Sequence, residues 1–299
     1  MAGRLIRLVL VCTLVLTGCD AARQPATAPP SAESGSPTAE RPGPGDHRLT
    51  LDMGGVSRTY LLHAPPGYAA GTPLPLIIAL HFYPGSGAAL RDMIGMDAKA
   101  DRENFLVAYP DGLGGGFNAL VCCGTADDVA FLTALAGHLV QTWRADADRV
   151  YLTGISNGGD MSFRAAVEAT GSFAAVGVVS GGYIGARAEA ATYVPTSPVS
   201  VVTIIGTLDR YFGQFQAGIT TWQQRLRCAS AGPAPPAPAP KVSRTVTRCA
   251  DGSEVDAYVV TDMGHVWPGA GSGPLRGPDV PVVATDIVWD FFKSHPRRR

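Results

Sequence analysis

The sequence predicts an α/β fold, a mostly parallel central sheet with helices on both faces. Two observations carry this expectation. Leu74–Leu80 is a continuous apolar run, Leu-Pro-Leu-Ile-Ile-Ala-Leu, as expected of a strand covered on both faces. Further along, apolar runs alternate with segments of helical spacing, the order that builds parallel strands joined by helices. Composition agrees. Of 299 residues, 46% are apolar and 16% charged, which allows a large core and excludes a wholly disordered chain. A net charge of −1 argues against nucleic acid as the main partner, which favours a basic surface. Six cysteines are too few for a disulfide scaffold in a chain this long.

The first residues read as an address. Arg4 and Arg7 precede an apolar run of ten residues, Leu8 to Thr17. A membrane-spanning helix needs ~20, so the run fits a secretory signal instead. It ends Leu16-Thr17-Gly18-Cys19, which resembles the lipobox of bacterial lipoproteins. That resemblance implies a signal peptide over 1–18, cleavage before Cys19 and lipid on the Cys19 thiol and new amino terminus. The chain would then be exported and face outward from the cell membrane, held in the bilayer by its acyl chains. Residues 19–46 combine this cysteine with a Pro/Ala-rich stretch almost without large apolar side chains. Such a stretch cannot offset its ordering entropy and is expected to be a disordered tether. The folded domain is expected over 47–299.

Within that domain, strands are predicted at Leu74–Leu80, Phe105–Tyr109, Arg149–Thr153, Ala174–Val179, Val199–Ile205 and Val255–Val260. Asp127 can cap a helix whose apolar stripe is Val129, Leu132, Leu135, Leu139 and Trp143. Asp127 and Asp128 are therefore read as helix-start acids rather than catalytic carboxylates. Further helices are expected over Met161–Ala169 and Val283–Phe292, the latter turning Ile287, Val288, Phe291 and Phe292 inward. Ala229–Pro240 holds five prolines and should be a surface loop.

Gly154-Ile155-Ser156-Asn157-Gly158 lies between a predicted strand and a predicted helix. The pentapeptide alone is a weak signal. At a strand-to-helix junction it marks the tight turn that pushes a serine hydroxyl out of a sheet. A serine needs a base, and only His265 and His295 follow it. His295 sits in a basic tail and is expected to be solvated. His265 follows a strand in a loop rich in turn formers and is the candidate base. Asp209 follows the strand Val199–Ile205, in a loop position where α/β sheets place their chemistry. It is preferred over Asp251, Asp256 and Asp262 as the acid that would orient His265. An oxyanion hole needs two backbone N–H groups: Asn157, after the nucleophile, and Tyr83 or Phe82 in the loop after Leu80, since Pro84 has none.

These residues, with Tyr109-Pro110-Asp111-Gly112, Phe117-Asn118, Cys122-Cys123-Gly124, Asp127-Asp128-Val129, Gly206-Thr207-Leu208-Asp209 and His265-Val266-Trp267-Pro268-Gly269, resemble the secreted esterases that include polyhydroxybutyrate-depolymerase-like lipoproteins and feruloyl and acetylxylan esterases. The resemblance extends from about residue 47 to the end. It implies the α/β-hydrolase fold, a Ser156–His265–Asp209 triad and hydrolysis of carboxylic esters. The chain departs from the family pattern at His81-Phe82, where His-Gly is usual, and at Phe117-Asn118, where Trp-Asn is usual. Phe82 is expected to crowd the oxyanion pocket. Hydroxybutyrate-type esters are the first expected substrates, with feruloyl or acetylated polysaccharide esters as the alternative. An inactive hydrolase fold serving as a surface binding protein is the third reading.

Outside the cytoplasm, Cys228 and Cys249 would close a loop around the proline-rich patch, worth ~3 kcal/mol for a loop of that length. Cys122 and Cys123 could form a vicinal bridge, stay as thiols or pair elsewhere. The sequence has no paired metal-ligand spacing and no Walker loop, so neither cofactor nor metal is expected.

Overall fold

A computed structural model describes residues 42–297 apart from 233–235, 237 and 238. The signal segment, Cys19 and nearly all of the tether lie outside the described residues. The chain enters through a hairpin, β1 (Gly45–Asp52) and β2 (Ser57–Ala64), then runs into β3 (Leu74–Leu80). Two short helices, α1 (Gly87–Ile94) and α2 (Met96–Glu103), lead to β4 (Leu106–Pro110). Helix α3 (Asp128–Thr142), strand β5 (Ala145–Ile155), helix α4 (Asn157–Glu168) and strand β6 (Ala175–Val179) follow. After α5 (Ala186–Glu189) come β7 (Ser200–Gly206) and α6 (Phe212–Arg225). The chain ends with β8 (Ala229–Ser230), β9 (Val242–Arg248), β10 (Glu254–Val260), the small pair β11 (Trp267–Pro268) and β12 (Arg276–Gly277), and α7 (Ala284–Ser294).

Among the described residues ten strands form one sheet in the order β1-β2-β4-β3-β5-β6-β7-β10-β9-β8. The block from β4 to β10 is parallel, and antiparallel strands extend it at both edges. β3 sits inside that block and shows why its sequence is continuously apolar. Leu76, Ile78 and Leu80 enter one core cluster, with α3, α4 and α6, while Ile77 and Ala79 enter the other, with α1, α2 and α7. Each face of the sheet is thus roofed by helices, as side-chain alternation requires.

The predicted elements all occur, most with shifted ends. Asp127 is the N-cap of α3 and accepts from the Ala130 N–H at 3.0 Å. Asp128 is fully buried. It pairs with Arg58 at 2.6 Å and accepts from the Asn118 N–H at 2.7 Å. The strand predicted from Arg149 begins earlier, at Ala145, and the helix predicted from Met161 begins at Asn157, directly after the serine. The expected boundary between residues 46 and 47 falls inside β1, because Gly45 pairs with Ala64 and Asp46 with His63. β1, β2 and β9 lack the continuous apolar run that marks a buried strand: β1 and β9 are largely exposed or half-buried, and β2, though mostly buried, interleaves Arg58, Thr59 and His63 with its apolar residues. Within the predicted proline-rich loop, Ala229 and Ser230 form the short β8. Cys228 and Cys249 are joined as a disulfide.

An ionic cluster ties the entry hairpin to α1, α2 and β4. His63 bonds Asp46 through Nδ1 at 2.7 Å and Asp101 through Nε2 at 2.8 Å. Arg91 bonds Asp46 and Asp97, and the Tyr109 hydroxyl donates to Asp97 at 2.5 Å. Burial by itself would lower the His63 pKa, but the bonds to Asp46 and Asp101 and the charges of Asp97 and Asp101 outweigh it, so it is raised. A raised histidine stabilises the fold fully below the unfolded pKa of ~6.5 and loses that contribution as pH rises through the folded value. The melting temperature of the native protein is therefore expected to fall more between about pH 6 and pH 8 than that of His63→Gln, as followed by circular dichroism.

Candidate active site

Ser156 sits on the turn between β5 and α4 with φ 56° and ψ −122°. This is a conformation that non-glycine residues rarely hold unless their surroundings fix it. Here the surroundings do. A Cβ on Gly154 would lie 2.4 Å from the Gly158 carbonyl carbon, and one on Gly158 would lie 2.2 Å from the Leu80 oxygen. The turn closes only because both positions lack side chains. The Ser156 N–H donates to the Val179 oxygen at 3.1 Å, and its carbonyl accepts from Asp160 at 2.9 Å.

Asp209 lies in a tight turn after β7, its N–H bonded to the Gly206 oxygen at 3.1 Å. Its carboxylate is fully buried and meets His265 Nδ1 through Oδ2 at 2.7 Å, while Oδ1 accepts from the Tyr211 N–H at 3.0 Å. His265 is held from behind. Trp267, two residues on, is fully buried and its indole donates to Thr285 on α7 at 3.1 Å. The rival acids are engaged elsewhere: Asp251 caps its own turn at Ser253, Asp256 pairs with Arg244 at 2.8 Å and Asp262 with Lys241 at 2.7 Å. His295 is not simply solvated. It is half-buried, stacks on Phe291 at 4.0 Å and bonds the Phe291 carbonyl at 2.8 Å.

Ser156 and His265 line one cavity of about 420 Å³, together with Tyr83, Cys122, Cys123, Asn157, Asp160, Tyr211 and Phe215. Asn157 opens α4, so its N–H has no intrahelical acceptor. Its side chain does a second job that the sequence did not reveal. Oδ1 accepts from the Phe117 N–H at 2.8 Å, and Nδ2 donates to the Phe117 and Cys122 oxygens at 3.0 and 3.1 Å. One amide thus clamps the whole Phe117–Cys122 loop. Cys122 and Cys123 are bonded to each other and form part of the cavity wall.

Of the two expected partners to Asn157, Tyr83 lines the cavity and is half-exposed, whereas Phe82 is buried in the core cluster shared with α1, α2 and α7. Phe82 is not among the residues lining this cavity. His81 fixes this loop. Fully buried, it donates from Nδ1 to the Phe82 carbonyl at 2.7 Å and accepts the Gly112 N–H on Nε2 at 2.9 Å. Burial lowers its pKa, keeping the ring neutral as those two bonds require.

Away from the cavity, Asp46, His63 and Asp97 bring ligand atoms within 4.8 Å of one another, but each is already bonded within the ionic cluster described above. Among the described residues no helix is long and apolar enough to cross a membrane.

A parallel sheet with helices on both faces, and a serine on a strained turn between its fifth strand and the following helix, define an α/β-hydrolase. The comparisons with known proteins narrow this. The family model for esterase PHB depolymerase matches residues 58–199. NocK of Nocardia uniformis subsp. tsuyamanensis, named as an esterase, is 32% identical over 91% of this chain and 91% of its own. Feruloyl esterase C of Emericella nidulans is 27% identical over 79% of this chain and 84% of its own. Acetyl xylan esterase from Aspergillus awamori superposes with a TM-score of 0.61 at 16% identity, covering 83% of this chain and 99% of that one, a likeness of fold. The chain belongs to the PHB depolymerase and feruloyl esterase-like family, and it is a carboxylic ester hydrolase.

The approach of the His265 loop to β7 yields a prediction. A Cβ on Gly206 would lie 2.2 Å from the Met263 oxygen, so Gly206→Ala must displace the segment that carries His265. The variant is expected to fold, by circular dichroism, and to lose ~100-fold in kcat/KM, the scale of a misplacement of about 1 Å.

Proposed function

We propose that Ser156, His265 and Asp209 form a catalytic triad that hydrolyses esters through an acyl-enzyme. The supporting observation is the 2.7 Å contact of His265 Nδ1 with buried Asp209, made while His265 shares a cavity with the strained Ser156. Asp209 holds the tautomer that carries the proton on Nδ1, which leaves Nε2 as the base. Ser156 Oγ attacks the ester carbonyl as Nε2 takes its proton. The N–H groups of Asn157 and Tyr83 stabilise the oxyanion, and Nε2 returns the proton to the leaving alcohol. Water then repeats the sequence and releases the acid.

Hydroxybutyrate-type esters are the first proposed substrates, in line with the family model that matches the chain. Feruloyl esters are the second reading, favoured by the feruloyl esterase relatives and by the aromatic walls that Tyr83, Tyr211 and Phe215 give the cavity. The relatives, named as esterases, favour these readings over that of an inactive binding protein.

Hydrolysis of p-nitrophenyl butyrate is expected from the native protein. Ser156→Ala should abolish it, and Asp209→Asn should lower kcat by about 10⁴-fold by presenting the wrong tautomer. Undiminished turnover in Ser156→Ala would refute the triad. A panel of methyl ferulate, acetylated xylan and hydroxybutyrate oligomers ranks the substrates by kcat/KM.

The enzyme is further proposed to act outside the cytoplasm, tethered by lipid at Cys19. The disulfides at Cys228–Cys249 and Cys122–Cys123 fit an oxidising compartment. Cys19→Ser is expected to move the protein from the membrane fraction to the soluble fraction of the producing cells. Retention in the membrane would count against the anchor.

A further inference from the structure

The cavity contains one buried acid that the mechanism above does not use. Asp160 lies one turn into α4, where its N–H bonds the Ser156 carbonyl at 2.9 Å. Residues four apart share a side of a helix, and one turn advances ~5.4 Å, so Asp160 stands just beyond the serine. It is only 9% exposed. Oδ1 accepts from the Gly182 N–H at 2.8 Å. Among the described residues its other carboxyl oxygen has no hydrogen-bond partner, and the residue forms part of the cavity wall.

Val121, the Cys122–Cys123 disulfide, Ile184 and Phe215 give the cavity an apolar lining, to which Arg210 and Gln214 add polar groups. Burial pushes the Asp160 carboxyl up to about 7, the Gly182 N–H opposing it and the Asp209 charge adding to it. The residue is nine-tenths buried, yet only one of its oxygens is spent on a protein partner and the other is not sealed off from the cavity. Anchoring one backbone N–H accounts for Oδ1 and leaves the other oxygen unexplained. A mostly apolar pocket with a small number of placed polar groups is the usual form of a ligand site, and besides Ser156 and His265 this cavity carries Asp160, Arg210 and Gln214.

We propose that Asp160 is a specificity-determining residue whose second carboxyl oxygen accepts a hydrogen bond from a hydroxyl carried close to the ester bond of the substrate. This rests on Ser156 being the nucleophile. The short separation from Ser156 suits a hydroxyl one or two carbons from the ester group, and not one at the far end of an aromatic acyl chain. A bound ester lacking the hydroxyl displaces water from that oxygen without replacing its hydrogen bond and is penalised for it. The hydroxyl can belong to the acyl part or to the alcohol part, and the two are separable by experiment.

Two matched pairs serve as probes with the full chain: p-nitrophenyl 3-hydroxybutyrate against p-nitrophenyl butyrate, and 2-hydroxyethyl butyrate against ethyl butyrate. The readout is the ratio of kcat/KM within each pair, which cancels any loss common to both esters. Assayed above about pH 8, where a carboxyl raised to about 7 is ionised and accepts on both oxygens, the native protein is expected to favour the hydroxylated member of one pair by about 10- to 100-fold, the range of a hydrogen bond to a charged group. The pair that shows it identifies which part of the ester Asp160 reads. Asp160→Asn keeps an acceptor for Gly182 but turns a donor toward the cavity, and Asp160→Ala removes both; each is expected to bring that ratio close to one. Ratios near one for both pairs in the native protein, or a preference that survives both substitutions, would overturn the proposal. Failure of the triad reading shows separately, as turnover of p-nitrophenyl butyrate by Ser156→Ala.

Discussion

The candidate active site depends on one backbone turn. Ser156 at φ 56° holds a conformation that costs ~1–3 kcal/mol and persists only where the surroundings over-determine it. Gly154 and Gly158 bring the turn against itself and against the end of β3, with no space for a single added carbon at either position. The same approach brings Asn157 to the Phe117–Cys122 loop and sets α4 to begin at the serine. Relaxing the turn would move the hydroxyl, one proposed oxyanion donor and the amide that clamps the cavity wall, because all three belong to the consecutive residues Ser156 and Asn157.

Around this turn, loops at the ends of the parallel strands are held by buried polar groups rather than by apolar packing. Backbone groups in such loops have no ladder partner, and leaving them unpaired is costly. His81 joins the loop after β3 to that after β4, and Asp111 accepts from Gly87 and from Thr59. Asp128 receives both Arg58 and the Asn118 N–H. Each polar group links segments distant in sequence. The cavity is thereby built on loops as firmly placed as the strands that carry them, which a preformed hydrolytic site requires.

The elements that were legible from the sequence were those whose signal is local. β3 was readable because both its faces are buried, and α3 because its stripe and its Asp127 cap lie within a few residues of each other. Ser156, Asp209 and His265 could be named because each follows a strand-like run in a turn-rich segment. β1 and β9 lie toward the sheet edges, where burial is partial, and β2 buries polar side chains such as Arg58 and His63 that break an apolar run. Their pairing is decided by partners many residues away.

By itself the sequence determined the alternation of strands and helices, the glycine-bounded turn at Ser156 and the order of its candidate partners, because periodicity and turn chemistry act over a few residues. Only the tertiary structure decided that Asp209, and not Asp256 or Asp262, meets His265, that Phe82 turns into the core, and that Cys122 bonds Cys123. It alone brought Asp160 into the cavity with one oxygen unpartnered. These outcomes depend on which groups are left without partners once the sheet has closed. That is a property of the assembled core rather than of any short stretch of chain.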